Sequence, residues 1–121
     1  MNSEHAEQVT LINEFKKRYP NEIIFAIPNG DFRHKQVARR LKAEGVLSGV
    51  SDICVITKDK TLWIEMKRKR KILKNGKQSK EDLASKEQHD FINYINQTTH
   101  SIGFIAYGWE DAISFIENHI N

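Results

Sequence analysis

Three charged residues interrupt two stretches of sequence that otherwise have the composition of buried strands. Asp52 begins the segment DICVIT, and Glu65 and Lys67 lie near the end of the segment TLWIEMK. A charge in the interior of a sheet is costly unless a partner compensates it. The three residues therefore either form an ordinary ion pair at a sheet edge or gather around a metal ion and take part in chemistry.

The spacing of Glu65 and Lys67 places both side chains on one face of a strand, because successive side chains alternate between the two faces. Asp52 reaches the same face only if opposed residues of an antiparallel hairpin have numbers that sum to an odd value. This register requires an even-numbered turn around residues 58–61, or a bulge. Two carboxylates on one face repel each other unless a divalent cation lies between them.

Carboxylate oxygens are the ligands that Mg²⁺ and Mn²⁺ prefer in proteins. A cation held there would neutralise a scissile phosphate and activate a water molecule as the nucleophile. Lys67, beside Glu65, would orient that water or stabilise the charge that grows on the phosphate. The chemistry that this trio favours is hydrolysis of a phosphodiester.

Lysine and arginine are concentrated in two runs, RHKQVARRLK at 33–42 and KRKRKILKNGK at 67–77, in a chain of net charge +3. Taken alone, each run is as often merely solvated, the first as a helix face and the second as a loop, as it is a binding surface. Because the acidic residues of the trio lie between the runs in sequence, we interpret both runs as contacts for a phosphate backbone. The residues of the first run that we expect to contact it are Arg33, Arg39, Arg40 and Lys42.

Hydrophobic periodicity and turn signals predict eight elements in the order α-β-α-β-β-α-β-α. The first helix is capped by Ser3 and ends before Pro20, and a second helix starts at about Arg33 and ends at Gly45. Its expected inward residues are Val37, Ala38 and Leu41.

The segments DICVIT and TLWIEMK form the predicted hairpin, and NGKQSKED is read as a loop. SKEQ, at 85–88, is a capping box that opens a third helix. SIGFIAY is the last strand, and WEDAISFIENHI is the last helix. This order predicts an α/β domain with a mixed central sheet flanked by helices.

The length of 121 residues predicts a single domain over residues 1–121. Cys54 is the only cysteine, which excludes an intrachain disulfide and a cysteine zinc site and fits a reducing cytoplasm. No apolar run is long enough to span a bilayer, and the polar N-terminus is unlike a signal peptide, so no membrane partner is expected. The five histidines lack metal-ligand spacing and are interpreted as bystanders.

The pattern of Asp52 followed by Glu65-Met66-Lys67 resembles the PD-(D/E)XK nuclease motif. More narrowly, most of the chain resembles a stand-alone VRR-NUC domain, the virus-type replication and repair nuclease. The segments similar to successive blocks of that family are SEHAEQ, IPNG with Arg33, ARRLKAEGVLSGVSD, WIEMK, SKEQ and GFIAYGWEDAISFI. One departure is Ser51, where the family usually has proline; this bears on the rigidity of the strand entry rather than on metal binding.

The resemblance implies a restriction-endonuclease-like core and a set of site residues. Its metal ligands would be Asp52, Glu65, the main-chain carbonyl of Met66 and a first-helix glutamate, with Lys67 in catalysis and Gln88 in a polar supporting role. The glutamate is Glu4 by its spacing to the apolar residues of the helix. Glu7, a turn away on a similar face, is the alternative.

The resemblance further implies a Mg²⁺- or Mn²⁺-dependent endonuclease that works as a homodimer on branched or otherwise structured DNA, such as a Holliday junction, in replication, recombination or repair. The alternative from another class is a non-catalytic DNA-binding or assembly module with the same fold. The presence of two mutually repelling carboxylates argues against it. A sequence-specific restriction-type nuclease ranks lower, since no recognition domain is appended.

Overall fold

The structure is a computed structural model that describes residues 2–28 and 35–120. Its elements are α1 (Glu4–Arg18), β1 (Ile23–Ala26), α2 (Lys35–Ala43), β2 (Ile53–Ile56), β3 (Thr61–Lys67), α3 (Lys86–Ile95), β4 (Ser101–Tyr107) and α4 (Trp109–Glu117). This order is the one that the sequence predicts. None of the helices in the described ranges is long and apolar enough to cross a bilayer.

The four strands form one sheet in the order β1-β2-β3-β4. The pairs β1–β2 and β2–β3 are antiparallel, whereas β3 and β4 are parallel. A parallel pair needs a crossover connection, and here the connection contains α3. The prediction of an α/β domain with a mixed sheet flanked by helices is confirmed.

The hairpin of β2 and β3 has the register that brings Asp52 and Glu65 together. Ile53 pairs with Ile64 and Ile56 with Thr61, so opposed residue numbers sum to an odd value. The turn between the strands spans four residues, 57–60, and is closed where the Thr57 hydroxyl accepts a hydrogen bond from the Lys60 main-chain N–H at 2.9 Å. The next position outward from Ile53 and Ile64 is therefore occupied by Asp52 and Glu65.

Local hydrogen bonds fix the starts of α1 and α3 where the sequence predicts them, whereas α4 ends at Glu117, before the end of the predicted segment. The Ser3 hydroxyl accepts from the main-chain N–H of Ala6 at 3.1 Å and starts α1. In the predicted capping box of α3, the Ser85 hydroxyl accepts from Gln88 N–H at 3.1 Å, and the Gln88 side-chain oxygen accepts from Ser85 N–H at 2.8 Å. Gly45 ends α2 with φ of +98°, a conformation that glycine adopts without strain.

The main core lies between the sheet and the pair α1 and α4. Its fully buried members are Leu11, Phe15, Ile53, Val55, Leu62, Ile64, Met66, Ala106, Ala112, Ile113 and Ile116. The opposite face is covered by α3, where the ring of Phe91 meets that of Trp63 with centroids 5.6 Å apart. Because side chains alternate along β3, Glu65 and Lys67 lie on this second face with Trp63.

Helix α2 corrects one expectation. Val37, Ala38 and Leu41 are only half-buried, and α2 packs against none of the other described helices and strands. The reason is that α1 and α4 already cover one face of the sheet and α3 covers the other. The apolar side of α2 thus has no partner among the described elements.

The segment predicted as a loop after β3 is partly ordered as a hairpin. Ile72 and Gln78 form an isolated antiparallel bridge, and Leu73 N–H donates to the Lys77 carbonyl at 2.8 Å. Gly76, at φ of +80°, closes the turn by donating to the Leu73 carbonyl at 2.9 Å. The Asn75-Gly76 pair is a hairpin signal that outweighs the polar composition of the segment.

Candidate active site

Asp52 lies directly before β2, at the end of the sheet where β3 finishes. Its Oδ2 atom accepts a hydrogen bond from the main-chain N–H of Met66 at 2.9 Å. Its carboxyl group also forms a hydrogen bond with the carboxyl group of Glu65. The register and these bonds hold the two acidic groups side by side.

Glu65 is the residue of the site whose pKa is shifted most strongly. Its side chain is 2% exposed, and its Oε1 atom has no hydrogen-bond partner within the described ranges. Burial, the hydrogen bond with Asp52 and the charge of Asp52 together raise the pKa of Glu65 to about 9, with Lys67 opposing the shift. In the absence of a cation, the pair of acids therefore holds a proton at neutral pH.

Lys67 is the third member of the group and is 6% exposed. Its Nζ atom lies 3.8 Å from Oε2 of Glu65. The main chain is fixed there as well, since the Lys67 carbonyl accepts from Gly108 N–H at 2.9 Å. The structure thus places a buried ammonium group directly beside the pair of carboxyl groups.

The main chain at Met66 offers an oxygen to the same site. Its N–H donates to Asp52 on the β2 side of β3, and the N–H and carbonyl of one strand residue point to the same side. Because β2 begins only at Ile53, no residue of that strand stands opposite Met66. The Met66 side chain is buried in the main core, so the carbonyl is the group of this residue that faces the site.

The two glutamates of α1 have different surroundings. Glu7 is fully buried, and its Oε1 atom accepts from Trp109 N–H at 2.9 Å, at the start of α4. Glu4 is exposed, and its charge contributes to raising the pKa of Glu65. The other carboxylate oxygen of Glu7, Oε2, is buried and has no hydrogen-bond partner within the described ranges, so Glu4 and Glu7 both stay candidates for the first-helix carboxylate.

The other site candidates lie apart from the acidic pair. The side-chain oxygen of Gln88 is engaged in the capping box at the start of α3. Arg39 and Lys42 are exposed on α2, and so is Arg40, whose Nε atom lies 4.0 Å from Glu44. Arg33 lies outside the described residues.

The segment before Asp52 lies in close contact with the start of α3. Gly49 has φ of +91°, and a Cβ atom on it would lie 2.5 Å from the main-chain oxygen of Glu87. A side chain at position 49 would therefore be strained and would also push the Asp52 segment away from α3.

We expect Gly49→Ala to lower the free energy of unfolding by about 2 kcal/mol or more, because it adds a clash with main chain to the strain of positive φ. Gly45→Ala is the matched control, since Gly45 has a similar φ of +98° and nothing within 4 Å of the added Cβ. Urea unfolding of the three proteins measures both effects. Equal losses for the two variants would show that the contact with Glu87 is unimportant.

The donor set suits Mg²⁺ or Mn²⁺. Within the described ranges, no group of three or more His, Cys, Asp or Glu side chains is placed to hold a metal ion, so the predicted ring with Glu4 is not closed. Mg²⁺, however, is usually bound through one or two carboxylates and several waters. Asp52, Glu65 with its unpartnered Oε1, and the Met66 carbonyl supply such a set.

A solved structure described as a VRR_NUC domain protein superposes on the fold of this chain with a TM-score of 0.71. The match covers 99% of this chain and 89% of that chain, at 20% sequence identity. The fold is that of a VRR_NUC domain. No protein-family model and no curated protein matches the sequence. The resemblance found in the sequence blocks is therefore confirmed for the fold.

Beside the site, this VRR_NUC fold contains an anchor that the sequence did not reveal. The Arg70 guanidinium lies 3.6 Å from the centre of the Tyr107 ring, and the Tyr107 hydroxyl accepts from Leu83 N–H at 3.0 Å. The Asp82 carboxylate accepts a hydrogen bond from the Tyr107 hydroxyl at 3.4 Å. Its other oxygen lies 2.7 Å from Nε2 of His89. His89 is thus a structural partner rather than a bystander, and no local pattern in the sequence marks it as one.

Proposed function

We propose that this chain is a Mg²⁺- or Mn²⁺-dependent endonuclease of the VRR-NUC family that hydrolyses phosphodiester bonds of DNA. The observation that carries the proposal is the convergence of Asp52, Glu65 and Lys67 at the end of β3, with Oε1 of Glu65 buried and unpartnered. Such a group is costly for stability, because two carboxyl groups are desolvated together. Cation binding would explain why two carboxyl groups are buried together despite this cost, and the VRR_NUC fold supports the same interpretation.

In this proposal Asp52, Glu65 and the Met66 carbonyl would hold the cation, and a first-helix glutamate, Glu4 or Glu7, would complete the set. A bound divalent cation would neutralise the scissile phosphate and lower the pKa of a water molecule. The carboxyl pair would release its proton on binding such a cation, because the ligands must be ionised. Gln88 acts as a polar support from the first turn of α3.

Lys67 supplies the part of the chemistry that the carboxylates cannot. Its ammonium group donates hydrogen bonds to a non-bridging oxygen of the phosphate, or orients the attacking water, and it lies close enough to Glu65 to be held in place. Negative charge on those oxygens grows in the transition state, and a fixed donor stabilises it there more than in the ground state.

We further propose that the substrate is branched DNA and that the protein acts as a homodimer through α2. The apolar side of α2 and the loop after it form a groove of about 630 Å³ whose lining includes Ala38, Val46 and the exposed Leu47. A second copy of the chain covers such a face by isologous contact. The dimer would present two identical sites, matching the two-fold symmetry of a four-way junction, with Arg33, Arg39, Arg40 and Lys42 on the phosphates.

Labelled linear, flapped and four-way-junction DNAs test the function directly. We expect cleavage with Mg²⁺ or Mn²⁺, none with EDTA, and the fastest cleavage on the junction. Sedimentation of the same samples measures the oligomeric state. Binding of DNA without cleavage under every metal condition would favour the non-catalytic module instead, and cleavage in EDTA would contradict the proposed site.

A further inference from the structure

The segment that follows β3 forms a short projecting hairpin, residues 70–80, which we name the basic arm. Two hydrogen bonds join its sides: Leu73 N–H to the Lys77 carbonyl at 2.8 Å, and Ser79 N–H to the Lys71 carbonyl at 2.7 Å. The arm begins three residues after Lys67. It therefore leaves the sheet at the end where the site lies.

The base of the arm is fixed to the domain. Besides stacking on Tyr107, the Arg70 guanidinium donates to the Ser79 carbonyl at 3.1 Å and to the Glu81 carbonyl at 2.9 Å. Both sides of the arm are thus held by one side chain. An arm with a fixed base can present its outer residues to a partner in a defined place.

The outer surface of the arm is strongly basic. Residues 67–80 contain no acidic residue. Four lysines of the arm are exposed, and none has an acidic partner within the described ranges: Lys71, Lys74, Lys77 and Lys80. Unpaired lysines in a row suit a polyanion such as a phosphate backbone.

Two large apolar side chains lie between these lysines in sequence, and Ile72 also lines a cavity with Glu110 and Asp111. Ile72 is 66% exposed and Leu73 is 47% exposed. Neither helps to form the main core, and phosphate contact does not require either of them. Proteins that bend or open DNA use apolar side chains in this setting, inserted between base steps while flanking cations hold the backbone.

We propose that the basic arm binds DNA beside the scissile phosphate and inserts Ile72 and Leu73 as a wedge that unstacks a base step. The proposal rests on the proposed function, which supplies DNA as the partner. Ile72 is five positions after Lys67, a reach of at most about 17 Å, so the wedge lies within about five nucleotides of the cleaved bond. Steps that are already weakened, as at a branch point, accept the wedge most readily.

The test uses a four-way junction and a plain duplex that carry a fluorescent adenine analogue, which brightens when unstacked, placed up to five nucleotides from the cleavage position. Metal is replaced by Ca²⁺ or EDTA so that DNA remains intact. We expect wild-type protein to brighten the analogue, and the double variant Ile72→Ser, Leu73→Ser to lose most of that increase while keeping the same salt dependence of binding.

The double variant Lys71→Ala, Lys74→Ala separates the contribution of the charge of the arm from that of the apolar wedge. It should flatten the slope of log affinity against log salt by about 0.9 for each phosphate contact removed. Controls come from the opposite end of the sheet: Ile23→Ser, at a residue that is 54% exposed, and Lys58→Ala in the turn at 57–60. Both controls should match wild type in brightening and in salt slope.

The outcomes distinguish the wedge from the function on which it rests. If the Ile72, Leu73 variant brightens the analogue as wild type does, or wild type binds DNA without brightening it, the wedge is overturned and the nuclease proposal stands. If wild type neither binds nor cleaves any of the DNAs, the proposed function itself fails. Thermal melting confirms that each variant is folded.

Discussion

Lys67→Ala lowers the rate of cleavage by at least about a hundredfold, while DNA and Mn²⁺ bind with close to wild-type affinity. The expectation follows from where the ammonium group lies: it is buried beside Oε2 of Glu65, and it is not itself a cation ligand. Its contribution is made mainly in the transition state, so its loss lowers the rate more than the affinity.

Single-turnover cleavage of the preferred DNA measures the effect, with DNA affinity and thermal melting recorded on the same samples. Lys58→Ala removes an equal charge from the exposed turn at the opposite end of the sheet and should cleave at the wild-type rate. A Lys67→Ala protein that is as fast as wild type would remove Lys67 from the mechanism. A loss of rate that is fully explained by weaker DNA binding would do so as well.

Glu65→Gln makes the metal-free protein more stable, by about 3 kcal/mol at pH 7. The carboxyl group of Glu65 is buried against Asp52, and this raises its pKa to about 9, whereas its ordinary value is 4.5. Between these values, folding requires uptake of a proton. The stability of wild type therefore falls as pH rises from about 4.5 to about 9, and glutamine removes that dependence.

Urea unfolding in EDTA at several pH values measures the difference, which should vanish below about pH 4.5 and grow toward pH 9. Adding Mn²⁺ should then stabilise wild type and have little effect on the variant, because a ligand of the folded state raises stability. Glu4→Gln is the control: Glu4 is exposed, so its replacement changes metal-free stability little. Equal stability of wild type and Glu65→Gln at pH 8 would contradict the buried, unpartnered carboxyl group.

Features that depend on neighbours in sequence were predictable. The Ser85 and Gln88 capping box is closed within four residues. The hairpin register follows from the alternation in β3 and from the length of one turn. The convergence of Asp52 with Glu65 was therefore conditional on a single local feature, the parity of that turn.

Features that depend on distant partners were not predictable. The pattern of Val37, Ala38 and Leu41 marks an apolar helix face, but it does not say whether the partner is this sheet or another surface. The choice between Glu4 and Glu7 is similar, since both occupy the same side of α1. The contact that distinguishes their surroundings comes from Trp109, whose N–H donates to Glu7 from the start of the last helix.

That hydrogen bond also joins parts of the chain that are synthesised far apart in time. Glu7 and Trp109 are 102 positions apart, so a chain emerging from the ribosome displays its first helix long before the residue that anchors it has been synthesised. Until then Glu7 lacks the main-chain donor that binds it in the folded protein. Asp52 and Glu65 are close in sequence and can meet as soon as their hairpin forms, whereas α1 is anchored by Trp109 only after that residue has been made.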